Sequence, residues 1–181
     1  MRTSWAVSLL LASAALGNCA GPGALKTFRS RRFGYTASYP ASWYLEHRAV
    51  RLDSLDIFDF PPSRRVKGVI LPEDGAEIEV GPAPPEIHTV PEWIGRNTKL
   101  DTAVERRELK DLPSSPNGCT TLTEVTSLNQ LEERSRINVT NYYCSTGRGL
   151  YMVSLTNWEG NPRLEALRKV ALEIALSLRT F

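Results

Sequence analysis

Hydrophobic and polar positions alternate in short runs over most of this chain, and helical spacing takes over in two stretches. In the run from Phe33 to Tyr44, Tyr35, Ala37 and Tyr39 alternate with Thr36 and Ser38, the period-2 signature of a half-buried strand. Pro40 stops that strand, because it has no N–H for the ladder and restricts the residue before it. Trp43 follows within a turn, a large apolar side chain placed to plug one end of a core. Ala49 to Phe60 carries Val50, Leu52, Leu55, Ile57, Phe58 and Phe60, and its β-branched and aromatic content predicts a strand that Pro61 and Pro62 end. Ser63 to Gly75 is a polar loop with Arg64, Arg65 and Lys67, with room for a short Val69–Leu71 strand piece. Ala76-Glu77-Ile78-Glu79-Val80 is a clean alternating strand, aliphatics inward and acids outward. Pro82, Pro84 and Pro85 then stiffen a connector.

Thr89-Val90-Pro91-Glu92 is a capping box with proline at the first helical position. It predicts a helix that carries Trp93 and Ile94 and runs to about Leu100, with Val90 as a staple. Thr102 to Leu112 reads as a strand. From Gly118 the pattern is a meander, with strands at Cys119–Thr126, Arg136–Cys144 and Leu150–Thr156. A polar connection near Asn129–Ser135 and the turn Ser145-Thr-Gly-Arg-Gly149 join them. Asn138-Val139-Thr140 fits a glycosylation sequon but reads as strand. Asn161-Pro162 caps a last helix, on which Leu164, Leu167, Val170, Ala171, Ile174, Ala175 and Leu178 share one face. That helix is expected to cover one face of the sheet.

The first twenty residues read as an export signal: Arg2, an apolar stretch from Trp5 to Leu16, then small residues. The apolar stretch is too short for a stable span, and no second long apolar run follows. Two exits are open. Leu16-Gly17-Asn18-Cys19 resembles a bacterial lipoprotein box, which makes Cys19 a candidate lipid anchor, although Asn18 departs from the usual small residue. The alternative is plain secretion after cleavage near Gly17 or Ala20. Residues 21–30, with Gly21, Pro22 and Gly23, are expected to be a flexible lead-in, and residues 31–181 a single domain. Arg29, Arg31 and Arg32 read as a solvated edge.

Charge is nearly balanced, 22 Lys+Arg against 20 Asp+Glu, so nothing argues for nucleic acid or an anionic membrane as partner. Asp53, Asp56 and Asp59 invite a cation, but their spacing fits no calcium loop and they would not share one strand face, so they read as solvated acids. Setting Cys19 aside leaves two of the three cysteines. If the first hairpin turns about Leu131 and Glu132, position 119 falls directly opposite 144, at the separation that a disulfide needs. An exported chain meets an oxidising compartment, so a Cys119–Cys144 bond is expected. A catalytic cysteine would need a base, and the two histidines, His47 and His88, lie in or beside proline-bounded loops far along the chain.

Phe33-Gly-Tyr35, Tyr39-Pro40-x-x-Trp43, Pro91-Glu92-Trp93-Ile94 and the closing Ser177-Leu-Arg follow one another in an order that resembles the PsbP/Mog1/LpqN-like family, from about Thr27 to Phe181. The resemblance implies an α+β fold, an antiparallel sheet packed between helices as an α/β/α sandwich. It also implies non-catalytic roles: extrinsic subunits, small regulatory binders and lipoproteins. No catalytic, metal or cofactor-binding residues carry over.

Three functions follow for comparison. The first is a non-catalytic exported domain that binds another envelope protein or helps a complex assemble, in the periplasm or held to the membrane only by a lipid at Cys19. The second is a carrier of a small apolar ligand or lipid, which needs an apolar pocket between sheet and helix. The third is a hydrolase, for which the chain has no Gly-x-Ser-x-Gly, no His-Glu-x-x-His and no glycine-rich phosphate loop. The expected partner surface is the set of loops beside Trp43, His47 and the Pro82–His88 connector, because loops on a rigid scaffold carry function.

Overall fold

A computed structural model describes residues 23–48, 54–64, 71–100, 104–113, 118–132 and 135–181. The export segment, Cys19, Asp53, Arg65, Lys67 and the Val69–Ile70 piece lie outside the described residues.

The described strands form two antiparallel sheets. The smaller contains β1 (Leu25–Ser30), β2 (Tyr35–Pro40) and β10 (Arg179–Thr180), with β2 in the middle. The larger runs in the order β3 (Tyr44–Arg48), β4 (Ser54–Phe58), β5 (Ala76–Pro82), β9 (Gly149–Trp158), β8 (Ser135–Thr146), β7 (Thr121–Glu132), β6 (Val104–Leu112). Two helices complete the fold, α1 (Val90–Leu100) and α2 (Leu164–Ser177).

Period-2 alternation explains the layers. Ile78 and Val80 of β5, Tyr151, Val153 and Leu155 of β9, and Tyr142 and Cys144 of β8 all point to one face. There they meet Leu167, Ala171, Ile174 and Ala175 of α2 and the buried Tyr35, Ala37 and Tyr39 of β2. Tyr143, the residue between Tyr142 and Cys144, points the other way and packs with Val125, Ile87, Val90 and Trp93 of the α1 side. A third cluster, Phe58, Phe60 and Leu71 with Trp158 against it, completes the packing. The large sheet therefore lies between α1 and α2, the expected sandwich. Tyr35 and Tyr151 sew the small sheet on, donating to the carbonyls of Val80 (3.3 Å) and Phe33 (3.1 Å).

Four expectations need correction. The lead-in is partly a strand: Leu25–Ser30 pairs with β2 from Leu25↔Pro40 to Ser30↔Tyr35, because the edge of β2 has backbone groups that need partners. Strand β3 begins directly after Trp43 and includes His47, where loops were expected. The acids of β4 are not solvated. Asp56 is 0% exposed in a strand buried along its whole length, and Asp59 accepts the Ala76 N–H at 2.8 Å and pairs with Arg163 at 2.9 Å. Finally, β7 and β8 turn two residues later than expected, so Cys144 faces Leu122 and Cys119 lies beyond the ladder. Polar Asn129 and Gln130 continue the strand and do not turn it, with a register shift between Gln130 and Glu132. Cys119 is nevertheless joined to Cys144, with the Cα atoms 5.2 Å apart, because the chain curls back at the sheet end, where Thr120 N donates to the Ser145 carbonyl.

The entry to α2 also differs in detail. Arg163 occupies the N-cap position without a side-chain cap bond. Asn161 serves from further back, its Oδ1 accepting Arg163 N–H at 2.9 Å and its carbonyl accepting Leu164 N–H at 3.1 Å.

Candidate functional site

Helix α1 is positioned by its own first turn and by one aromatic contact. Thr89 Oγ1 accepts the Glu92 N–H at 3.2 Å, and the Glu92 carboxylate reaches back to accept the N–H of His88 at 3.1 Å. The connector before it is fixed by Ala83 N–H to the Leu150 carbonyl at 2.8 Å and by the ion pair between Glu86 and Arg96. The guanidinium of Arg96 holds the Glu86 carboxyl below its ordinary range. On the inner side Trp93 meets Tyr143 edge to face, 5.4 Å between ring centres, and Asn97 donates to the Tyr143 hydroxyl at 2.8 Å.

So seated, α1 covers the strands beside Tyr143 and leaves a groove between itself and the ends of β6 and β7. Its volume is about 690 Å³, within the range of roughly 300–1,000 Å³ usual for ligand clefts. Val90, Pro91, Ile94 and Gly95 form the helix wall; Leu112, Leu122 and the stretch Thr120–Thr123 form the sheet wall. Among the described lining residues there is one carboxylate, Asp111, whose Oδ1 accepts the Thr123 hydroxyl at 2.9 Å, and no basic side chain. Such a surface suits an apolar occupant with hydroxyl contacts at its rim. Among the described residues no group of His, Cys, Asp and Glu is arranged to hold a metal ion.

The structure does not bring Trp43, His47 and His88 together. Trp43 packs against the core on the α2 side, and His47 lies in the edge strand β3 opposite Leu55. His88 is exposed at the entry to α1, one residue before the capping Thr89 and close to the groove wall at Val90. Sequence reasoning singled out this connector and missed the groove itself. One signal was available: Gly95 stands inside a helix, where glycine costs about 1 kcal/mol relative to alanine, and a Cβ there would meet nothing.

No family model matches the chain, and no curated protein matches it in sequence. The Ran-binding protein Mog1p of Saccharomyces cerevisiae is similar over 87% of this chain and 96% of its own, at 12% identity and a TM-score of 0.53. A Bacteroides thetaiotaomicron protein is similar over 89% of this chain at 16% identity and a TM-score of 0.50, and this chain spans about half of it, 49%. Cyanobacterial PsbP of Synechocystis is similar over 93% of this chain and 100% of its own at 14% identity, but its TM-score of 0.45 adds no argument. At such identities the likeness is one of fold alone, and by that measure the chain has the PsbP/Mog1-like fold.

Proposed function

We propose that this chain is an exported, non-catalytic domain that binds another envelope protein or helps an envelope complex assemble, with the α1 groove and the adjoining Pro82–His88 connector as its contact surface. The observation that carries the proposal is the groove, an apolar concavity with a hydroxyl rim beside the buried cluster of Val90, Trp93 and Tyr143. Mog1p, which has this fold, is a Ran-binding protein, so the scaffold is compatible with a protein partner. Export rests on the first twenty residues, with lipidation at Cys19 or plain secretion as the two exits; the intact mass of the mature N-terminus distinguishes them. No helix among the described residues is long and apolar enough to cross a membrane.

The test is capture of the tagged full-length protein from its native envelope after mild crosslinking, beside the variant Ile94→Glu. One stoichiometric partner, absent with the variant while circular dichroism is unchanged, is the expected result. A blank from folded wild-type protein refutes the proposal.

The size and apolar lining of the groove favour one second function, carriage of a small apolar ligand or lipid. Native mass spectrometry of the purified protein separates the two, because a carrier retains a defined extra mass that Ile94→Glu loses.

A further inference from the structure

At the other end of the large sheet, away from α1, the residues around Trp158 enclose a crevice of about 620 Å³. We propose that it is a binding site for a neutral, polyhydroxylated ligand, namely a saccharide.

The wall comes first. Trp158 ends β9, its ring packs against the cluster of Phe58, Phe60 and Leu71, and its Nε1–H donates to the Leu71 carbonyl at 2.6 Å. The indole is therefore held in one orientation, a flat apolar surface at the side of a polar cavity. The negative π-face of an indole attracts the weakly positive C–H groups of a sugar ring.

The polar groups come next, and they are arranged as pairs. Arg136 faces Glu159 at 3.6 Å, and Asp74 is held by Arg64 at 2.7 Å. Arg163 donates to the Asp74 carbonyl at 3.3 Å while pairing with Asp59. Asn161, almost fully buried, is fixed by Arg163 N–H on one side and reaches the Gly75 carbonyl on the other. Positive φ at Gly160 (79°) gives the turn that brings Asn161 back under Trp158, whose carbonyl accepts the Asn161 N–H at 3.2 Å.

Chemistry then selects the ligand. Among the described lining residues Asp74 and Glu159 already have guanidinium partners and only the exposed Glu73 has none, so an anion would have to displace a carboxylate and a cation would find a single solvated one. An apolar one would strip water from carboxylates and guanidinium groups without replacing its hydrogen bonds. Sugar hydroxyls do neither. They donate to the spare lone pairs of the paired carboxylates of Asp74 and Glu159. Glu73, exposed at the mouth, adds a further acceptor.

The test uses the full-length chain, labelled with ¹⁵N, titrated with maltotriose and with triacetylchitotriose, and with glycerol as a simple polyol control. The expected result is a saturable shift of the Trp158 indole N–H and the Gly160 and Asn161 amides by at least one trisaccharide, with a Kd of about 1 mM or tighter, and none by glycerol. Trp158→Leu should weaken binding about tenfold, the loss of one stacking platform. Glu73→Ala, at an exposed position that leaves the fold intact, should weaken it severalfold and keeps the test decisive if Trp158→Leu fails to fold. No saturable shift from either trisaccharide, shifts at the α1 groove in place of the crevice, or unchanged binding by Glu73→Ala overturns the proposal.

Discussion

Trp93 and Tyr143 meet edge to face at 5.4 Å, and this contact seats α1 on the sheet. Both rings are buried, in a cluster separate from the main core. Trp93→Ala should therefore cost about 3–5 kcal/mol, measured by urea denaturation, and should loosen α1 before the α2 side opens. Hydrogen exchange will show it: faster exchange confined to residues 90–97 and β7 is expected, and a uniform rise over the molecule would argue against a separate α1 cluster.

Gly95 predicts the opposite sign. A Cβ at this position meets no atom within 4 Å, so Gly95→Ala should raise stability by about 0.5–1 kcal/mol through the unfolded chain and helix propensity. The added methyl intrudes on the groove. If the groove binds a partner as proposed, capture should weaken in a protein that is more stable, a combination that a purely structural glycine would not give.

Gly118 allows no such change. A Cβ there would fall within contact distance of the Leu178 carbonyl and 2.6 Å from Arg179 Nη1. That guanidinium donates to the carbonyls of Leu176 (2.8 Å) and Leu178 (2.7 Å), closing the end of α2. Gly118→Ala should destabilise by about 1–3 kcal/mol in thermal or urea unfolding.

The Cys119–Cys144 bond closes a loop of sequence separation 25, for which the chain-entropy account gives about 3.5 kcal/mol. The double variant Cys119→Ser, Cys144→Ser should keep its far-UV spectrum and lose stability on that scale. Loss of the fold itself would mean that the bond does more than restrict the unfolded chain.

Burial raises the Asp59 carboxyl above its ordinary 3.8, against the opposing pull of the Ala76 N–H and Arg163. A raised acid pKa means that the folded state holds the proton more tightly. Its contribution is then greatest below the ordinary value and declines as pH rises through the folded one. Stability of wild type relative to Asp59→Asn should accordingly improve between pH 7 and pH 3. A difference that moved the other way would show that the Arg163 pair outweighs desolvation.

Local pattern carried much of the architecture. Tyr35, Ala37 and Tyr39, the run Ala76–Val80 and the apolar face of Leu164–Ser177 each declare their burial within a few residues. Features that depend on distant parts of the chain could not be read. Asp59 appears solvated until Arg163, more than a hundred residues later, folds against it. Leu25–Ser30, mostly exposed, becomes a strand only because β2 offers an edge. The cysteine pair was legible from composition and compartment, whereas the register assumed for it was off, since the position of a polar hairpin turn is weakly encoded. The groove was legible only through Gly95, because its other wall comes from the far ends of β6 and β7.

The middle strand of the small sheet has one partner near in sequence and one far from it: β1 just before it and Arg179–Thr180 after α2. Phe181 N–H completes the arrangement with a bond to the Gly34 carbonyl at 2.9 Å. Closure of this sheet therefore waits until segments more than a hundred residues apart in the chain have both been made, and a fragment that stops before Arg179 lacks one partner of β2.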